Sequence, residues 1–259
     1  MIKKGIENIK KYGFKDTLNE IIFKYFKKFL NIYYSKLNKI KSIDHEDRFK
    51  KIRIDTTYFN SDLCEIGKKY NTDKSPYNPK HRHAYTGIYH FLFHKIRDEK
   101  LYIAELGCFK NEGMKLLREY FKNARLYGYD IDPKHIDNAK NDNLYKTEYF
   151  LMDVNDQSSI HNGLSRSEDK FDIIFDDSSH IFEHQINIIK NSIPFLKKNG
   201  YLIIEDIFNN KKSHEEQNYY KELSEYKDYF SEIYFIQSEH LNKFSPLYNN
   251  DKLLVMIKS

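Results

Sequence analysis

From Leu101 onward, short apolar runs alternate with helical segments, and this rhythm restricts the fold of the 259-residue chain more than any other feature. Strands are expected at Leu101–Leu106, Arg125–Ile131, Glu148–Met152, Phe171–Asp176, Tyr201–Glu205, Glu232–Gln237 and Leu253–Lys258. Helices are expected between them at Glu112–Lys122, Pro133–Lys140, Phe182–Leu196 and Glu215–Tyr226. Strands separated by helices imply a doubly wound α/β fold, here with a seven-stranded, mostly parallel sheet of the Rossmann-like kind. The loop between the last two strands is too short for a helical crossover, so those strands should pair antiparallel. Before the rhythm begins, residues 71–83 are rich in loop formers, and Tyr85–Lys95 reads as a helix leading into the first strand.

Residues 1–57 read as an N-terminal helical extension and residues 58–259 as the main domain. Within the extension Ile21, Ile22, Tyr25, Phe26, Phe29, Leu30 and Tyr33 recur at helical spacing with lysines between them. Residues 1–43 carry eleven lysines against Glu7, Asp16 and Glu20, a balance of +8. The whole chain is only +5, so the basic character belongs to the extension and the remainder is about −3. Such a helix suits packing on the domain, a homo-oligomer interface or peripheral contact with a membrane surface; no nucleic-acid partner is expected. Cys64 and Cys108 form no CxxC pair, no apolar run is long enough to span a membrane, and no secretory signal opens the chain, so a cytoplasmic protein is expected.

In an open parallel sheet ligands sit beyond the carboxyl ends of the strands. The first strand runs into Glu105-Leu106-Gly107, and a second glycine, Gly113, opens the next helix. The second strand ends at Asp130, placed to accept both ribose hydroxyls, and the third at Asp153, placed to meet an adenine amino group. The pyrophosphate-binding GxGxxG is missing, which favours an adenosyl cofactor over a dinucleotide. An NAD-dependent nucleotide-sugar oxidoreductase and a non-catalytic adenosyl-binding module are the alternatives.

The fourth strand ends in Asp176-Asp177-Ser178-Ser179-His180 and the fifth in Glu205-Asp206. Asp177, Glu205 and Asp206 at one mouth would repel one another unless a cation neutralised them, and Mg²⁺ or another hard divalent ion takes such oxygen ligands. His180 is placed to take the proton of a hydroxyl acceptor. His184, four residues on, offers a softer alternative set with Asp177 and His180.

Asp176-Asp-Ser-Ser-His180 followed by Glu205-Asp206 resembles the DDGSH…ED pattern of metal-dependent sugar O-methyltransferases, a group that includes macrolide-sugar and bacterial surface-polysaccharide enzymes. Thr72-Asp73-Lys74 and His83-Ala-Tyr85-Thr86 resemble that family's TDK…H-x-YT segment. The resemblance covers roughly residues 65–258. It implies a class I S-adenosylmethionine-dependent methyltransferase in which Asp177, Glu205 and Asp206 bind Mg²⁺ and His180 is the base. Glu105, Gly107, Asp130 and Asp153, with Asp73, Lys74 and Tyr85 covering the pocket, would hold the cofactor. The implied acceptor is a sugar hydroxyl, on a nucleotide-linked sugar of capsule or lipooligosaccharide synthesis. Ser178 departs from the family's glycine and puts the tightness of that turn in question.

Overall fold

Short, nearly continuous apolar runs in the central strands build a sheet covered on both faces. The computed structural model of the chain describes residues 49–245 and 249–259. The helix expected within residues 1–43 lies outside the described residues. The elements run β1 (Phe49–Asp55), α1 (Asp62–Lys69), α2 (Tyr85–Phe93), β2 (Tyr102–Leu106), α3 (Glu112–Tyr120), β3 (Arg125–Asp130), α4 (Pro133–Asn141) and β4 (Thr147–Leu151). They continue with α5 (Gln157–Leu164), β5 (Phe171–Asp176), α6 (Phe182–Ser192), β6 (Leu196–Ile207), α7 (Glu216–Glu222), β7 (Phe230–Glu239) and β8 (Lys252–Lys258).

The sheet order is β1-β7-β8-β6-β5-β2-β3-β4. Every neighbouring pair is parallel except those of β8, which lies antiparallel to both β6 and β7. The chain winds outward from β2 through β3 to β4, then returns to place β5 on the other side of β2. The crevice for a ligand therefore opens where β2 and β5 part company.

Successive strand residues face opposite sides, and the two cores follow that parity. Ile103, Ile173, Phe175, Ile203 and Val255 join the core that takes Tyr85, Tyr89, Phe93, Met114 and Leu117 from α2 and α3. Ala104, Leu106, Ile174, Leu202, Ile204 and Leu254 join the opposite core, with Ile160, Ile188, Ile189 and Tyr219. Each fully buried Phe or Ile contributes about 1.5–3 kcal/mol, so the strands that support the crevice are held from both sides. Helix starts follow local chemistry. Asp132 and Asp156 accept from the backbone N–H two residues on, and Pro133 occupies the first turn of α4.

The sheet has eight strands where the sequence led to an expectation of seven. The additional one, β1, pairs in parallel with β7 from Phe49↔Ile233 to Asp55↔Glu239. Residues 49–55 thus belong to the sheet, ahead of the expected boundary at 57/58. Ile52 and Ile54 alternate with lysine and arginine and pack on one core while Phe49 packs on the other, and the charged residues suit an exposed edge. Helices α1 and α5 form in stretches for which no element was expected.

Candidate active site

Three carboxylates reach one face of the sheet because their positions share a parity with core residues. Glu105 follows Ile103 on β2, Asp177 follows Phe175 just past β5, and Glu205 follows Ile203 on β6. The register sets Phe175 opposite both Glu105 and Ile203. The three side chains therefore converge on the side covered by α2 and the loop before it.

Into this cluster the loop delivers Lys74, 3% exposed. Its Nζ pairs with Asp177 Oδ2, lies 2.8 Å from Glu205 Oε2 and 3.6 Å from Glu105 Oε1. Burial alone would lower the pKa of this ammonium, but Asp177, Glu205 and Glu105 hold it above the usual lysine range. Burial pushes Glu205 well above the usual carboxylate range despite Lys74, and pushes Glu105 up to about 7. One ammonium does not balance the group: Glu205 Oε1 and Glu105 Oε2 are buried with no hydrogen-bond partner.

Asp206 follows Glu205 directly and in a regular strand would face the other core. The pairing of β6 with β8 shifts between Ile204 and Ile207, and Asp206 takes φ of 58°. This bulge turns Asp206 onto the same side as Glu205. There the Tyr85 hydroxyl lies 2.8 Å from Asp206 Oδ1 and 2.8 Å from the Asn250 carbonyl, donating to that pair. The Asn250 side-chain amide donates to Asp206 Oδ2 at 2.6 Å. Tyr85, read from sequence with the cofactor set, instead holds Asp206.

His180 also adopts a left-handed conformation, φ 54°. Its Nε2 lies 3.9 Å from Asp177 Oδ1 and 3.7 Å from Asp206 Oδ2, so Asp177, His180 and Asp206 form one compact donor set. Glu205 stands beside that set, on Lys74. Two carboxylates with open lone pairs, an orphaned third at Glu205 Oε1 and a net negative charge fit a hard divalent cation. His184 bonds Ser179 Oγ at 2.8 Å and is not part of the donor set.

Ser178 closes its turn without glycine. Its hydroxyl donates to Asp176 Oδ1 at 2.6 Å and its N–H to the same atom at 3.2 Å. The glycine that the crossing needs is Gly107, φ 92°, whose absent Cβ would meet the Asp177 carbonyl and come within 2.6 Å of Ser178 Cα. Gly107 was expected to admit a ligand; it admits the neighbouring loop.

Beside the acidic cluster lies a cavity of about 830 Å³ lined by Asp73, Lys74, Glu105, Gly107, Asp130, Asp153, Asp177 and His180, among others. Asp130 is fixed by the N–H of Phe109 at 2.8 Å, the N–H of Asp132 at 2.9 Å and His135 Nδ1 at 3.1 Å. Asp153 accepts from the Asn155 N–H at 2.9 Å. Glu105 rests against the start of α3, where a Cβ on Gly113 would come within 2.9 Å of its carboxyl carbon. The second glycine therefore makes room for Glu105. Cys108 also lines the cavity, and burial pushes its thiol far above the usual range, as suits a packing residue.

A family model described as a methyltransferase domain matches residues 97–250. Among curated proteins, the 8-demethyl-8-(2-methoxy-alpha-L-rhamnosyl)-tetracenomycin-C 3'-O-methyltransferase of Streptomyces olivaceus is 29% identical over 49% of this chain and 33% of its own length. The mycinamicin VI 2''-O-methyltransferase of Micromonospora griseorubida is 26% identical over 57% of this chain and 36% of its own length. The matched regions thus span about a third of those relatives. Among solved structures, the mycinamycin-pathway methyltransferase MycE in complex with Mg and SAH superposes with a TM-score of 0.58 at 20% identity, covering 77% of this chain and 55% of that one. At that identity the likeness is one of fold.

Proposed function

Because the chain belongs to the methyltransferase-domain family, we propose that it methylates a sugar hydroxyl, with S-adenosylmethionine as donor and a divalent cation, Mg²⁺, at the acceptor. The observation that carries this reading is the meeting of Asp177, His180 and Asp206 at the rim of a cavity that also holds Glu105, Asp130 and Asp153. Relatives named for methylation of sugar hydroxyls support the acceptor class, and a relative solved with Mg and SAH supports the two bound groups.

When bound, the cofactor supplies a methyl group on a sulfonium, which keeps the electron pair of the broken C–S bond as the new C–O bond forms. Asp177 and Asp206, with Glu205 beside them, would hold a cation that would lower the pKa of an adjacent hydroxyl. His180 accepts the hydroxyl proton at Nε2. Asp130 and Asp153 orient the adenosyl half, and a positive ligand would favour the ionised form of Glu105. Tyr85 and Asn250 keep Asp206 from swinging away. The finer reading is a nucleotide-linked sugar destined for a surface polysaccharide. Lys80 and Lys110 on the cavity wall favour a phosphorylated acceptor.

The test is methyl transfer by the purified protein to a panel of nucleotide-activated and glycosidic sugars, with and without chelator. We expect transfer that stops on rigorous chelation and returns with Mg²⁺. His180→Gln should cut turnover about 10²–10⁴-fold. Cofactor binding without transfer to any sugar would sink the reading in favour of a binding module, and full activity after metal removal would sink the role of the cation.

A further inference from the structure

The loop between α1 and α2 holds a second group of donor atoms. We infer that Asp73, His81 and His83 form a separate metal site, suited to a borderline transition-metal ion such as Zn²⁺ and distinct from the oxygen-rich set around Asp177. One donor atom from each of the three residues lies within 4.8 Å of the others. His81 Nδ1 is 3.6 Å from Asp73 Oδ2.

Each imidazole is held at one nitrogen by a neighbouring side chain. His83 Nδ1 lies 2.8 Å from Asp251 Oδ1, and His81 Nε2 lies 2.9 Å from Ser245 Oγ. Metal-bound histidines are supported in this way: a partner on the far nitrogen fixes the ring and its tautomer. Where an ion takes the place of the second proton that Asp206 and Asp251 favour, the tautomer that donates from Nδ1 to Asp251 offers a lone pair on Nε2. That atom is buried in a side chain 2% exposed and has no hydrogen-bond partner. A buried orphan nitrogen is costly unless something binds it.

Two imidazole nitrogens and one carboxylate oxygen are the ligand types of Zn²⁺ or Co²⁺ sites, whereas Mg²⁺ prefers oxygen. The two groups touch through one residue: Asp206 Oδ1 is 3.5 Å from His83 Nε2, while Asp206 Oδ2 is 3.7 Å from His180 Nε2. An ion at His83 would also clamp the segment that carries Lys74 and walls the cavity from Asn71 to His81. The inference stands on this geometry and does not depend on the methyl-transfer reading.

The test is a titration of the chelator-stripped full-length protein with Co²⁺, followed by equilibrium dialysis and by the visible ligand-field bands of tetrahedral cobalt, in excess Mg²⁺. We expect one tight Co²⁺ that Zn²⁺ displaces. Ser245→Ala, which removes the support of His81 together with a hydrogen bond to Asn250 Oδ1, should weaken it about 10-fold, and His81→Ala or Asp73→Asn by more than about 100-fold. Asp177→Asn should leave the bands in place, since that residue belongs to the other group. Co²⁺ binding unchanged in His81→Ala and Asp73→Asn, or lost in Asp177→Asn, would overturn the inference. So would the lack of any tight Co²⁺ in the parent protein, the result expected if His83 is simply an imidazolium between Asp206 and Asp251.

Discussion

Lys74 joins the two halves of the site, since its ammonium touches carboxylates from β2, β5 and β6. Removing one partner of a buried charge group costs about 3–5 kcal/mol. Lys74→Met should therefore lower stability by about that amount in urea denaturation, and added Mg²⁺ should recover part of the loss. A loss indifferent to Mg²⁺ would mean that Lys74 and the cation do not share the carboxylates. Tyr85 offers a sharper division of roles. Tyr85→Phe removes a buried hydrogen bond to Asp206, at about 0.5–1.5 kcal/mol. It should weaken Mg²⁺ binding while leaving the affinity for S-adenosylmethionine within about twofold by calorimetry, a small fraction of the 1.4 kcal/mol that a tenfold change represents. The sequence set both residues beside the cofactor pocket but did not give their carboxylate partners. Residues 74 and 85 reach Asp177, Glu205 and Asp206, more than a hundred residues away, through the path of an irregular loop, and no local periodicity encodes that path. Asp177 and Glu205 were legible because strand parity and register alone bring them together.

At the scale of elements, the bulge in β6 presents Glu205 and Asp206 on one side. Asp206→Asn keeps the shape of the bulge and removes a charge, so Mg²⁺ affinity should fall by about tenfold or more at nearly unchanged secondary structure. An unaltered Kd from isothermal titration would remove Asp206 from the metal set. The sequence placed β2 to β8 within a few residues, because their apolar runs are bracketed by charged or glycine-containing turns. It missed β1, where Lys50 and Lys51 put Phe49 out of step with Ile52 and Ile54 and extend the basic character of the preceding segment. It also missed the short helix α1, whose start is marked by the Ser61 side chain accepting from the Cys64 N–H at 3.3 Å. Eight residues give too little apolar periodicity to stand out from a loop.

For the molecule as a whole, buried acids link stability to pH. Burial pushes Asp176 up to about 6 and Glu105 up to about 7, against 3.8 and 4.5 for free groups. The folded protein then holds protons that the unfolded chain has released. Their contribution is complete below the unfolded values and is lost as pH rises through about 6 and then about 7. The Tm of metal- and cofactor-free protein should accordingly fall between about pH 4 and pH 7, by about 2–4 °C for each kcal/mol lost. Glu105→Gln should flatten the upper part of that decline; an unchanged profile would show that Glu105 does not ionise in place.

The central position of β8 sets an order of assembly. Its residues follow those of every other strand, yet it is the link through which β7 and β1 join β6. Asn250 and Asp251, just before it, anchor Asp206 and His83. A chain emerging from the ribosome can pair β2 through β6 early, but β1, made first of the strands, finds its place in the sheet only after β8 has been made. Until then the acidic cluster lacks the anchors of Asp206 and His83, and the growing chain holds its carboxylates without the geometry to grip a metal.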